Sequence, residues 1–341
     1  MLNNVYRLVA PKLIEKVVVD EKIDSNTVIV RPTYLSICHA DQRYYGGQRD
    51  AEILKEKLPM ALIHEGVGIV VKDYSGRFEA GERVCIVPNT PFTSENFIQE
   101  NYLPSSKFRS SGYDGLMQEY VFSRNDRLVH IPDVIPSKVA AYIEMVSVAM
   151  HSIKRLNQVI NADTEIFGVW GDGNLSYISS ILIKALYPQS KLIVFGKHES
   201  KLSMFSFADE TYVINNIPDN ISVSQAVEAT GGKGSKSAID QIIHLIKPQG
   251  AVALMGVSEN AVEINTRLVL EKGIILSGTS RSGLKDFKDT VKLLTTSKEV
   301  LNQLNILLGI ETKVDNINDI HEFFEHDLAS VWGKSVMEWN I

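Results

Sequence analysis

The chain has 341 residues, 44% of them hydrophobic and 22% charged, an ordinary composition for a globular protein. That length exceeds what one core usually serves and suggests about two domains. A formal charge of −6, with no basic tail and no block of like charge, argues against nucleic acid or an anionic membrane as the main partner, though not against a small anionic substrate.

In chain order, the opening MLNNVYRLVAPKL holds no run long enough for a signal peptide or a membrane span, so a cytoplasmic location is expected. Only two cysteines occur, Cys38 and Cys85, and in a reducing compartment no structural disulfide is expected. Residues 1 to about 140 read as short strands: KVVVDE, TVIVRPTYLSI, GVGIVVKDY, ERVCIVPN, MQEYVFS and RLVHIP. The stretch from Pro88 to Gly112 breaks this rhythm, and a loop of that length usually has a function. From about Glu144, compact strands (IFGVWG, KLIVFG, ETYVI, AVEAT, AVALMGV, IILSGTS) alternate with helical LSYISSILIKALY and SKSAIDQIIHLI. That alternation implies right-handed crossovers and a parallel, doubly wound sheet. The segment from about Leu284 holds more helix, and DLASVWGKSVMEW reads as a final strand returning to the first body. The fold class expected is α/β, with a Rossmann-type domain over 144–282 and a β-rich domain over 1–143 and 283–341.

In FGVWGDGNLSYISSILIK a buried strand runs into a glycine turn and then a helix. Gly171 permits the tight turn and Gly173 lets the backbone approach a pyrophosphate. The helix opening at Asn174 and Leu175 supplies amide donors. The third glycine position is Ser176. The next strand ends in Gly196, followed by Lys197 and Lys201, where an NAD site would place Asp or Glu. A small residue with two cations suits a 2′-phosphate, so NADPH is the expected cofactor; solvated surface lysines are the alternative.

Cys38 in YLSICHADQ, His64 and Glu65 in PMALIHEGVGIVV, and Glu144 in AAYIEMVSV are donors suited to zinc. Three protein ligands and an open position would make a catalytic site. Taken singly, Cys38 reads equally well as a small buried hydrophobe and His64 as a satisfied core histidine, and spacing alone leaves both readings open.

The run Cys38 … His64-Glu65-Gly66 … Gly68 together with Gly171-Asp172-Gly173 resembles the zinc-dependent medium-chain dehydrogenase/reductase family over essentially the whole chain. The resemblance implies a GroES-like catalytic domain and one catalytic zinc on Cys38, His64 and Glu65. Glu144 falls at the position of a further, sometimes exchangeable ligand. It also implies that Asp41 orients a ligand from behind. Two departures stand out. The relay Ser or Thr of the family is Ala40, and the loop after Pro88 contains no cysteine, so no structural zinc is expected and Cys85 reads as a buried strand residue.

A narrower resemblance, carried by ADQRYYGGQRD, LPMALIHEGVG, VPNTP, ENYLPSSKFRSSGYDG, WGDGNLSYI, INTRLVLEKG and SRSGLKDF, is to the ribulose-5-phosphate reductases. It implies reduction of D-ribulose 5-phosphate by NADPH to D-ribitol 5-phosphate, which a cytidylyltransferase uses for teichoic acid or capsule synthesis. It further implies a homo-oligomer and leaves room for a complex with that cytidylyltransferase. Arg43, Tyr44, Lys107, Arg109, Ser110, Ser111 and Arg281 are candidate contacts for the sugar phosphate; ordinary surface charge is the alternative for each. Two rival readings are an NAD-dependent dehydrogenase of an unphosphorylated polyol and a non-catalytic NADPH-binding protein.

Overall fold

A computed structural model describes residues 1–160 and 163–341. The chain divides into two compact units, one of Met1–Ser147 with Ser282–Ile341 and one of Val148–Arg281.

The first unit is built on a seven-stranded sheet. Its order is Leu128–His130, Arg83–Ile86, Glu65–Asp73, Thr27–Ser36, Lys334–Trp339 and Leu308–Val314, with Val121–Arg124 also paired to Thr27–Ser36. The β-branched runs anticipated here do form strands, and their inward residues Val30, Leu35, Val70, Ile86 and Val121 join Leu116, Phe323, Phe324 and Trp339 in one core. The opening residues Leu2–Ala10, which carry no period-2 pattern strong enough to announce themselves, pair antiparallel with Leu13–Asp20.

Two glycines are demanded by close backbone approach. A Cβ on Gly68 would sit 2.4 Å from the Arg31 carbonyl oxygen, and one on Gly115 would sit 2.2 Å and 2.4 Å from the carbonyl oxygens of Leu62 and Ile63. Gly115 thereby brings a loop against the segment leading into His64.

The chain end departs from expectation. DLA closes the helix Ile317–Ala329, and only Lys334–Trp339 is strand. Gly333, at φ +93°, makes the turn between them. An apolar window across a helix end and a strand start has no single period, which is why it read as one element.

The second unit is a six-stranded parallel sheet in the order Glu210–Val213, Lys191–Gly196, Ile166–Trp170, Val223–Glu228, Ile246–Leu254 and Ile275–Gly278. Numbered within the unit this is 3-2-1-4-5-6, the doubly wound arrangement expected. Trp170 stacks on Phe195 at 4.0 Å in its core. No helix among the described residues is long and apolar enough to cross a membrane.

Candidate metal and cofactor sites

In the first unit, Thr27–Ser36 delivers the chain to Cys38, which starts the helix His39–Tyr45. The Cys38 Sγ accepts the Ala40 N–H at 3.2 Å, while the Asp41 carboxylate accepts the Cys38 N–H at 3.1 Å, a reciprocal cap that fixes the thiol's direction. The other oxygen of Asp41 accepts the Ile63 N–H at 3.0 Å. This buried side chain therefore ties the backbone at Cys38 to the backbone before His64. Ile63 sits at φ +69°, a conformation rare for a β-branched residue and found where surrounding structure enforces it.

The consequence is a convergence of three donors. His64 Nε2 lies 3.3 Å from Cys38 Sγ, and donor atoms of Cys38, His64 and Glu65 all lie within 4.8 Å of one another, all three residues being buried. Among the described residues this is the one group of three or more such donors that close. Glu144, also buried, is not in that group, although its charge helps to raise the pKa of Glu65.

Glu65 has no solvent exposure and its Oε1 accepts no hydrogen bond among the described residues. Burial pushes its pKa up to about 8, against the pull of Lys334. Lys334 Nζ lies 2.8 Å from Glu65 Oε2 and donates to the Ile37 carbonyl at 2.7 Å. Burial works against the Lys334 charge, yet Glu65 and Cys38 outweigh it and raise its pKa. The Cys38 thiol is held well above its ordinary pKa by burial, with Asp41 and Glu65 adding to it. Sulfur, nitrogen and oxygen donors in a buried cluster, one carboxylate oxygen without a partner among the described residues, fit zinc. Sequence reasoning missed Lys334; a lysine at an inward strand position was its only signal.

The loop 88–112 is anchored rather than loose. Asn89–Thr90 pairs with Lys107–Phe108, and Glu100 Oε1 accepts from Arg127 at 3.0 Å and from the Leu284 N–H at 2.6 Å. Within it, Arg109 is 6% exposed, donates to the carbonyls of Asp114 and Phe122, and lies over Tyr113 at 5.0 Å. Its guanidinium is occupied holding the loop. Ser110 Oγ lies 2.7 Å from His64 Nδ1 and so touches the donor cluster directly. Lys107 lies over Phe92 at 5.7 Å, and Ser111 lines a surface cavity of about 440 Å³ with Arg7, Lys57 and Asp114. Arg43 is half-buried, its pKa lowered by burial and by the neighbouring Arg49, which stacks over the buried Tyr44 at 4.9 Å.

In the second unit, Gly171 adopts φ +132° at the end of Ile166–Trp170, and its N–H donates to the Phe195 carbonyl at 2.8 Å. A Cβ on Gly173 would meet nothing within 4 Å, so the start of the helix Asn174–Leu186 faces open space without a side-chain cap. Ser176, in place of the third glycine, is buried and donates to the Gly173 carbonyl at 2.7 Å. Gly196 is closely packed, since a Cβ there would fall 2.7 Å from Leu202 Cδ2 and 2.8 Å from Asp172 Cβ. Asp172 in turn accepts the N–H groups of Lys197 and His198 and the His198 ring at 2.7–2.9 Å, shaping the loop that presents Lys197 and Lys201. Neither lysine makes an ion pair among the described residues. Arg281, at φ +59°, ends this unit in a backbone conformation few non-glycine residues adopt.

Residues 24–133 match the alcohol dehydrogenase GroES-like domain. Over 339 residues, 99% of each chain, the protein is 52% identical to ribulose-5-phosphate reductase 1 of Staphylococcus aureus. It is 51% identical to the ribulose-5-phosphate reductase of Bacillus spizizenii over the full length of both. The crystal structure of S. aureus TarJ in complex with NADPH superposes with a TM-score of 0.90 at 47% identity, covering all of both chains. A GroES-like β-body with a doubly wound sheet defines the class, that of the medium-chain dehydrogenases. Within it, the chain belongs to the ribulose-5-phosphate reductase family.

Proposed function

We propose that the protein reduces D-ribulose 5-phosphate to D-ribitol 5-phosphate with NADPH, the product serving CDP-ribitol formation for teichoic acid or capsule. The observation that carries this reading is the 52% identity, over 99% of both chains, to a reductase of that name. The buried Cys38–His64–Glu65 cluster supplies the chemistry such a reductase needs.

Cys38, His64 and Glu65 would hold the zinc, and Glu144 is a further ligand candidate. When bound, zinc offers Lewis acidity to a ketone oxygen and NADPH offers a hydride. Asp41 holds the Cys38 and His64 segments in register through their backbones. Lys334 lies 2.8 Å from Glu65, both side chains fully buried, and offers it a counter-charge. Gly171 and Gly173 open the helix start at Asn174 and Leu175 to a pyrophosphate. Gly196 lets Asp172 pack and shape the loop, so that Lys197 and Lys201 offer cations to a 2′-phosphate. Ala40 carries no hydroxyl, so the proton that completes the reduction would have to come from water or a substrate hydroxyl. Arg43 with Tyr44, and separately Lys107 and Arg281, are candidates for the sugar phosphate; Arg109 and Ser110 have the other engagements described above. We also propose a cytoplasmic location, a homo-oligomer, and productive contact with a ribitol-5-phosphate cytidylyltransferase.

Initial rates of NADPH oxidation with D-ribulose 5-phosphate, beside unphosphorylated D-ribulose, test the substrate. Fast turnover of the phosphate alone supports the reading. Equal rates, or none in protein shown to contain zinc, refute it. NADH run alongside decides the cofactor.

A further inference from the structure

We infer that Ser110 is a positioning residue for the metal: its hydroxyl fixes which nitrogen of His64 faces Cys38 and Glu65. This rests on the zinc reading above. His64 has two ring nitrogens, and a neutral imidazole can present only one lone pair to a metal. Nε2 points at Cys38 Sγ, 3.3 Å away, so with zinc held there Nε2 would be the ligating atom and Nδ1 would carry the proton. That proton needs an acceptor, since His64 is only 7% accessible.

Two oxygens compete for it. Asp41 Oδ1 is 3.7 Å from Nδ1, beyond hydrogen-bond range, and already accepts the Ile63 N–H. Ser110 Oγ is 2.7 Å away. Nδ1–H therefore donates to Ser110, and Asp41, the residue expected to orient a ligand, acts through the main chain instead.

The protein holds Ser110 there at a cost. Its backbone is left-handed at φ +55°, its N–H donates to the Tyr113 carbonyl at 2.9 Å, and the adjacent Arg109 clamps the loop through two carbonyls. Phe108 packs against the His64 ring, centroids 5.1 Å apart, so the ring cannot swing to find another acceptor. A neutral hydroxyl behind the imidazole, rather than a carboxylate, leaves the ligand less basic than the usual carboxylate–histidine–metal arrangement would.

The test is zinc affinity of purified full-length protein by chelator competition, with the visible spectrum of the cobalt-substituted protein as a second readout. Ser110→Ala removes the hydroxyl. Ser110→Gly removes it while suiting the left-handed backbone, and so stays informative if the alanine variant folds poorly. In both, zinc dissociation constants should rise roughly ten- to a hundredfold and the cobalt bands should shift, with NADPH affinity unchanged. Zinc affinity within twofold of the parent and an unshifted cobalt spectrum in the glycine variant would overturn the inference. Absence of zinc binding by the parent protein would instead overturn the metal reading itself.

Discussion

At the residue scale, the donor cluster depends on side chains that no neighbour can replace. Cys38→Ser and His64→Ala should each abolish zinc binding and turnover while NADPH titration still shows binding; turnover by a metal-free Cys38→Ser protein would refute the ligand assignment. Lys197 is exposed and Lys201 half-buried, and neither makes an ion pair among the described residues, so removing one charge should weaken NADPH about tenfold and leave NADH unchanged, as judged by fluorescence titration. Gly115→Ala forces a methyl against two carbonyl oxygens and should cost about 3 kcal/mol in denaturant unfolding. Residue types were readable here, and contacts were not. Cys38, His64, Glu65 and the glycine turn carry chemistry in their identity, whereas Ser110 as the partner of His64 and Lys334 as the partner of Glu65 exist only because distant loops and strands meet.

At the element scale, the turn after Glu65–Asp73 is organised by one carboxylate. Asp73 accepts the N–H groups of Ser75, Arg77 and Phe78 and the Ser75 hydroxyl at 2.6–2.7 Å. Partial burial raises its pKa, but those hydrogen bonds win and the pKa lies below the ordinary value. A lowered folded-state pKa stabilises above the unfolded-state pKa, and that contribution is lost as pH falls through the folded value. Asp73→Ala should therefore cost about 1 kcal/mol at pH 7 and progressively less in acid, in urea melts run as a pH series. Strand and helix alternation in 166–278 was legible because each element keeps one period. The short helices His39–Tyr45 and Ala51–Lys57 were not, being only seven residues each and too short to display a face.

At the scale of the whole molecule, the first unit is assembled from both ends of the chain, with Lys334–Trp339 pairing to Thr27–Ser36. Above about pH 8, where Glu65 ionises beside Lys334, Lys334→Met should lower the unfolding free energy of metal-free protein by about 3 kcal/mol, since Glu65 must then stay protonated or sit unpaired, and adding Glu65→Gln should recover part of the loss. No recovery in the double variant would mean that the lysine acts through the Ile37 carbonyl alone. That carbonyl and the Lys334 ammonium are 297 positions apart. During synthesis the ribosome releases the thiol, imidazole and carboxylate early, and their internal cation almost last. A nascent chain can thus present a cysteine and a histidine to passing ions long before it can offer the finished charge balance. Any ion taken up by this cluster would therefore meet its full charge balance only after the strand Lys334–Trp339 has joined the sheet.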